Sequence, residues 1–346
     1  MTNASRELIA RFDELAAPDQ PSDSLLRAII DAPDSALGTL CVLADRLTGL
    51  RFGNRRQFCA IINAKSGRCG EDCAFCAQSA HYQTPARNHD FIPLDSIVAA
   101  ARTMQARGAC RFSVVLSGKS VDNDDFERLL QATRAVREIP GLLPDTSPGV
   151  LDRDRLRRLK AAGLAGYHHN LETSRRFFPR ICSTHDWEED LESVRLALEE
   201  GLYVCSGGIF GLGETWDDRI DLALTLRRLG VPSVPVNFLH PIPGTPLGDR
   251  QPLSPAEGLK IIALLRFLLP GAHVRVCGGR ETVFGSTPDY HVLRCGASGM
   301  MVGNYLTIAG QDPEKDLADL SATGLILSRA EDQPWLKNRA NLPERD

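Results

Sequence analysis

The sequence has no dominant charge. Its 40 Lys and Arg residues stand against 44 Asp and Glu, a formal net charge of −4, which leaves no electrostatic footprint for nucleic acid or an anionic membrane surface. It also lacks a long apolar run. The longest candidate, IIALLRFLLP, is interrupted by Arg266 and stops at Pro270, short of the ~18 residues a spanning helix requires. The first twenty residues carry charges throughout and have no apolar signal core, so a cytoplasmic location is expected. Repeats and low-complexity tracts are absent as well. What remains is globular: 43% of the 346 residues are hydrophobic and 24% charged, and a chain of this size can bury about 75% of its surface without stapling.

Ten cysteines are the first positive signal. In an intracellular chain they are expected as reduced thiols rather than a disulfide framework, which raises the question of metal binding.

After a helical preface over residues 1–50, short apolar runs alternate with amphipathic segments: CAIINA, CRFSVVLSG, GLLPDT, LAGYHHNLE, YVCSGGIFGL and SVPVNFLH, each followed by a helical pattern, then AHVRVCGG and SGMMVGN. Eight strand candidates predict an α/β fold, a (β/α)8 TIM-type barrel over residues 51–310, with a tail over 311–346. A doubly wound sheet is the competitor, but the glycine-rich phosphate turn it usually carries after an early strand is missing. The later GGIFGLGET lacks the Gly-Lys-Ser/Thr ending of a P-loop; its glycines fit a strand that lets a flat ligand approach the backbone.

Chemistry in such a barrel gathers at the C-terminal ends of the strands. Those positions offer Lys65, Ser117, Lys119, Asp145, Asn170, Glu172, Cys205, Ser206, Asn237, His240, Arg275, Cys277 and Arg280. The densest signal is KSGRCGEDCAFCAQS, where Cys69, Cys73 and Cys76 form C-x3-C-x2-C after the first strand. Structural zinc takes four ligands, and only His81 is near enough in sequence to complete a set. Three thiolates on a four-iron cluster instead leave one iron open. A redox-sensing dithiol is the blander alternative. Gly67 and Gly70 suit a loop that curls around a bulky group.

The triplet, with Phe75 before its last cysteine, resembles the signature of radical S-adenosylmethionine enzymes. Together with YHHNLETS, VCSGGIFGLGET, VPVNFLHPIPGTPL and VRVCGGRE, it resembles the biotin synthases among them, from about Phe58 to about Gly310. The resemblance implies a barrel in which the open iron of a [4Fe-4S] cluster binds S-adenosylmethionine. Reductive cleavage then yields a 5′-deoxyadenosyl radical that abstracts hydrogen from dethiobiotin, and an auxiliary iron–sulfur cluster, [2Fe-2S] or a variant, supplies the sulfur of biotin. It also implies a reducing electron-transfer protein and a homodimer.

Carried over by position, Cys69, Cys73 and Cys76 match the ligands of the radical-generating cluster. Asn170 matches a residue on the substrate's ureido ring, Glu172 one on the adenosyl ribose, and Asn237 a substrate-side asparagine. Cys205 and Arg275 match auxiliary-cluster ligands. Two further auxiliary thiolates are missing, because Ser113 and the Asp145 region stand in their places. Cys277, on the same strand face as Arg275, is the first substitute; Cys110, Cys182 and Cys295 are others, and Cys41 and Cys59 are expected to be structural. Asp190 occupies a position where a basic residue is expected near the adenosylmethionine carboxylate. The missing thiolates keep two alternatives open: a radical barrel enzyme without sulfur insertion, such as a metal-cofactor maturase, and a non-catalytic zinc or redox-sensing protein.

Overall fold

The expected strands form from runs in which Val, Ile and Phe alternate with residues that turn inward. In the computed structural model, which describes residues 2–17, 20–285 and 292–332, they are β1 (Arg55–Lys65), β2 (Arg111–Leu116), β3 (Leu143–Ser147), β4 (Gly166–His168), β5 (Tyr203–Cys205), β6 (Gly208–Phe210), β7 (Ser233–Phe238), β8 (His273–Val276) and β9 (Gly299–Met301). All pair in parallel in the order β1-β2-β3-β4-β5-β7-β8-β9, and β9 returns to β1 with Gly299 opposite Gln57. β5 and β6 occupy one position, since both pair with β7. The result is the closed eight-stranded parallel barrel expected from the alternation. A short β10 (Ile326–Leu327) lies outside it, parallel to the start of β1.

Local chemistry starts and stops the intervening helices. Asp152, Thr215 and Ser254 accept backbone N–H groups at the helices Arg153–Ala161, Trp216–Leu229 and Pro255–Leu268, and Gly230 ends the second in the left-handed conformation, as capping requires. Phe58, Phe112, Val114, Val204, Val234, Val236 and Val274 point outward from the strands and are buried. Arg266, which interrupted the apolar run, is fully buried and donates to the carbonyls of Gly296, Leu269, Pro270 and Ala272.

The preface consists of helices, the last being Leu37–Phe52, which packs on Pro255–Leu268. Thr48 and Asp45 tie it to the segment before β9 through Gly296 and Arg294. Here one expectation fails: Cys41 and Cys295 form a disulfide. Cys295 therefore lies at the N-terminal ends of the strands, opposite the mouth, and is no candidate for cluster ligation. In the tail, Pro313–Ala322 is a helix whose Asp316 pairs with Arg280; residues 333–346 lie outside the described residues.

Candidate functional site

The cysteine loop leaves β1 and folds back on itself. Cys69 N–H donates to Gln78 O at 3.0 Å, Ala80 N–H to Cys69 O at 2.8 Å, and Cys76 N–H to Cys73 O at 2.9 Å. Gly67 is required: its φ is +78° and a Cβ there would strike Asn88. Gly70 is not, since its surroundings are open. The segment after β4 clamps the loop from the other side. Ala74 N–H donates to Ile181 O at 2.8 Å, Ser183 N–H to Asp72 at 2.8 Å, and Asp72 N–H to Thr184 at 3.1 Å. The His81 imidazole pairs with Gly70 O at 2.9 Å, and among the described residues it joins no ligand group with the triplet.

All nine residues singled out for catalysis and binding line one cavity of about 350 Å³ at the mouth: Cys69, Cys73 and Cys76 on the loop; Asn170, Glu172 and Asn237 on the wall; Cys205, Arg275 and Cys277 below. Asn170 Oδ1 accepts from Gly207 N–H at 3.2 Å, and its amide lies 3.5 Å from the Glu172 carboxylate. Burial, reinforced by Asp190, pushes the Glu172 carboxyl up to about 8, and its φ of +62° is a backbone conformation rarely adopted outside functional turns. Asn237 bridges two strand ends, donating to Gly208 O at 3.2 Å and accepting from Gly278 N–H at 3.0 Å. The glycines of GGIFGLGET do not face the ligand space as expected. A Cβ on Gly207 or Gly208 would strike the carbonyl of Pro235 or Glu172, so these glycines let neighbouring backbone close up.

Below this wall the barrel interior is polar. Ser113, which stands where the resemblance leads one to expect a thiolate, is buried with its hydroxyl unpartnered among the described residues, and Asp145 lies opposite it in register. Asp145 accepts from Arg111 Nε and Nη2 at 2.7 and 2.6 Å and pairs with His168 at 2.9 Å. Burial opposes its ionisation, but Arg111 and His168 hold its carboxyl well below the usual range. Both of its oxygens are engaged inside this triad.

The substitute thiols separate. Cys110 lies against Phe58 O and does not line the cavity, although it is near enough to Arg275 and Cys59 to feel their charge; Cys182 lies against the loop cysteine Cys73. Cys59, expected to be structural, instead turns inward, lines the cavity and packs with Cys277 and Met301. A hydrogen bond with Cys277, helped by Arg275, draws the Cys59 thiol down; the same bond and burial push that of Cys277 up, against the pull of Arg275. Arg275 is fully buried; its Nη2 donates to Gln57 and Tyr203, while among the described residues Nε and Nη1 have no hydrogen-bond partner. A buried guanidinium without a carboxylate calls for an anion. Three thiols and this cation therefore suit an anionic iron–sulfur group, the donor set being soft sulfur.

Asp190, the acid in a basic position, gathers two imidazoles: His169 at 2.8 Å and His185 at 3.3 Å. Asp190, then Cys182, pushes His185 up to about 11, so His185 is a cation on the cavity wall, held between the Asp190 and Glu71 carboxylates. Sequence reasoning missed both histidines and Cys59. His169 was visible in YHHNLE, whereas His185 carried no local signal.

Comparisons with known proteins agree with this geometry. Residues 64–226 match the radical SAM superfamily, and residues 235–326 the Biotin and Thiamin Synthesis associated domain. The biotin synthase of Syntrophotalea carbinolica is 45% identical over 324 residues, covering 93% of this chain and 99% of the relative. That of Pelotomaculum thermopropionicum is 49% identical over 265 residues, covering 77% and 82%. Among solved structures, methylornithine synthase superposes with a TM-score of 0.80 at 21% identity, covering 96% of this chain and 99% of that one. A maturase of the [FeFe]-hydrogenase gives 0.78 at 15% identity, covering 94% and 76%; at these identities both likenesses concern the fold alone.

Proposed function

The chain belongs to the biotin synthase family of radical S-adenosylmethionine enzymes, and from that premise we propose how its own residues divide the work of inserting sulfur into dethiobiotin. The observation that carries the reading is the convergence of the cysteine loop, the Asn170, Glu172 and Asn237 wall, and the Cys59, Cys205, Cys277 and Arg275 floor on one cavity. When bound, the [4Fe-4S] cluster supplies the electron that cleaves S-adenosylmethionine, and the auxiliary cluster supplies sulfur. Cys69, Cys73 and Cys76 hold the first; Cys205 and Arg275, with Cys277 and Cys59 replacing the two absent family thiolates, hold the second. Glu172 accepts from the ribose hydroxyls, and Asn170 and Asn237 present amides to the ureido ring. His185 and Lys119 also line the cavity, each already paired, His185 with Glu71 and Asp190 and Lys119 with Glu189. Depth in the barrel keeps water from a primary carbon radical. The reading carries with it a low-potential electron-transfer protein, a homodimer and a cytoplasmic location; among the described residues no helix is long and apolar enough to cross a membrane.

The test is anaerobic reconstitution followed by iron and sulfide quantitation and product assay. Wild-type protein is expected to hold two clusters and convert dethiobiotin to biotin. Cys73→Ala is expected to lose one cluster and all 5′-deoxyadenosine release. Release at the wild-type rate by that variant, or a wild-type protein with one cluster and no biotin, overturns the reading; the second result favours the non-sulfur-inserting barrel.

A further inference from the structure

Beyond β9 the chain crosses the mouth in a segment that hydrogen bonds hold at its two ends. Val302 N–H donates to Cys59 O at 2.9 Å. The chain is tied down again where Gln311 N–H donates to Glu281 at 3.1 Å and Asp316 accepts from both Nη groups of Arg280 at 2.7 and 3.0 Å. Between these anchors, among the described residues, the hydrogen bonds of residues 303–310 stay within the segment: Tyr305 and Ile308 exchange backbone bonds at 2.9 and 2.7 Å, and Gly310 N–H donates to Asn304 at 3.3 Å. Its neck is pinched. A Cβ on Gly310 would lie 2.0 Å from Gly303 O, and Gly303 has φ +78°, so the two ends meet at glycines. Leu306 has φ +44°, as the first residue of a tight two-residue tip. A compact loop with touching ends and internal bonds can turn as a unit about its neck.

The same segment is one wall of the cavity. Tyr305, Leu306, Thr307 and Ile308 line it, while Asn304, Thr307 and Ala309 are exposed, so a single thickness of chain separates the reacting space from water. The Tyr305 ring seats that wall. It lies against Gly278, where a Cβ would come within 2.7 Å of the ring, and it packs on the group formed by Cys59, Cys277 and Met301. Such side-chain contacts part without breaking a backbone bond. We infer that residues 303–310 are a hinged flap, which turns at Gly303 and Gly310 to admit S-adenosylmethionine and dethiobiotin and closes over them, with Tyr305 as the positioning residue that seats it. Closure of this kind shuts water out of a radical reaction. The inference rests on the reading that this cavity binds those two molecules.

The experiment is hydrogen–deuterium exchange on the anaerobically reconstituted holoenzyme, with and without both molecules and without reductant, so that nothing turns over; binding is followed separately with radiolabelled dethiobiotin. In the free enzyme the amides of residues 303–310 are expected to exchange faster than those of β9, and the two ligands together are expected to slow them about tenfold. Tyr305→Ala is expected to keep its iron, to show no such slowing and, once reductant is added, to release more 5′-deoxyadenosine per biotin. Tyr305→Phe, which keeps the ring, is expected to behave as wild type. Three results overturn the inference: exchange in the free enzyme already as slow as in β9, which makes the segment a fixed wall; bound dethiobiotin with unchanged exchange; or slowing in Tyr305→Ala equal to that in wild type. The first two are read on the wild-type protein and stand whatever the stability of the alanine variant. Dethiobiotin that does not bind at all overturns the functional reading and the flap with it, whereas binding without slowing overturns the flap alone.

Discussion

Replacing Asp145 by alanine probes the interior triad directly. Asp145 is 2% exposed and Arg111 1%, and the substitution removes the acceptor for Arg111 Nε, Arg111 Nη2 and His168. It leaves the guanidinium with only the Tyr203 ring, 4.2 Å away. Breaking one side of a buried pair costs about 3–5 kcal/mol. With an unfolding entropy of about 2.1 cal/mol/K per residue, 346 residues give about 0.7 kcal/mol per degree, so Tm should fall by about 4–7 °C. The double variant Arg111→Met, Asp145→Leu removes both charges, and an apolar replacement of a buried pair is often neutral or better. It should recover most of the loss.

The sign with pH follows from the same contacts. Burial opposes ionisation of Asp145 and Arg111 overcomes it, so the folded carboxyl titrates below its usual value of 3.8. Its contribution is complete above that value and disappears only as pH falls through the depressed one. Between pH 6 and 8 titration of this carboxyl itself should therefore add no pH dependence to the deficit of Asp145→Asn. The assay is thermal unfolding by circular dichroism on anaerobic protein at pH 6, 7 and 8. An Asp145→Ala variant melting within about 1 °C of wild type, or a double variant melting as low as the single one, refutes the energetic reasoning.

Two further expectations test the cavity. Cys59→Ser, Cys277→Ser and Cys205→Ser should each lose auxiliary iron and biotin formation yet still release 5′-deoxyadenosine, while Cys295→Ser should keep both clusters; full iron in Cys59→Ser would remove that residue from the ligand set. Glu172, raised to about 8 in the fold from 4.5, stabilises the protein below pH 4.5 and loses that contribution as pH rises through 8, by about 1.4 kcal/mol per unit at most; Glu172→Gln should flatten the fall in Tm between pH 6 and 9, and an unchanged slope would count against its burial as an acid.

How far the sequence disclosed this site depended on how local each signal was. The eight strands were legible because apolar runs and helical periods are short-range patterns, and the cysteine loop because its ligands are contiguous. Cys59 was misread because CAIINA does not say which alternate residues face inward. That phase is set by pairing with Arg111 on β2 and Met301 on β9, far away in sequence. Cys182 and Cys295 failed as auxiliary ligands for the same reason: one folds over the loop cysteine Cys73, and the other meets Cys41, 254 residues away. Asp145 was visible as an anomaly, but its partner Arg111 emerged only from the register of β2 against β3.

That register also explains how a barrel can lose two thiolates without losing a cluster site. Ser113 and Asp145 are neighbours on β2 and β3, and on that side of the interior Asp145 is locked to Arg111 and His168. Cys59 on β1, next to β2, packs with Cys277, just beyond β8, beside Arg275, whose Nε and Nη1 have no hydrogen-bond partner among the described residues. The rings of charge meet at Tyr203, with Arg111 4.2 Å and Arg275 5.8 Å from its centroid. A cluster on the β2–β3 side would displace the carboxylate that neutralises Arg111, at the cost of a buried unpaired charge. One on the β8–β1 side meets thiols and a guanidinium still lacking an anion. In the proposed ligand set, Cys205 and Arg275 are shared by both arrangements, and the remaining thiolates have moved around the barrel to the side where the electrostatics leave room.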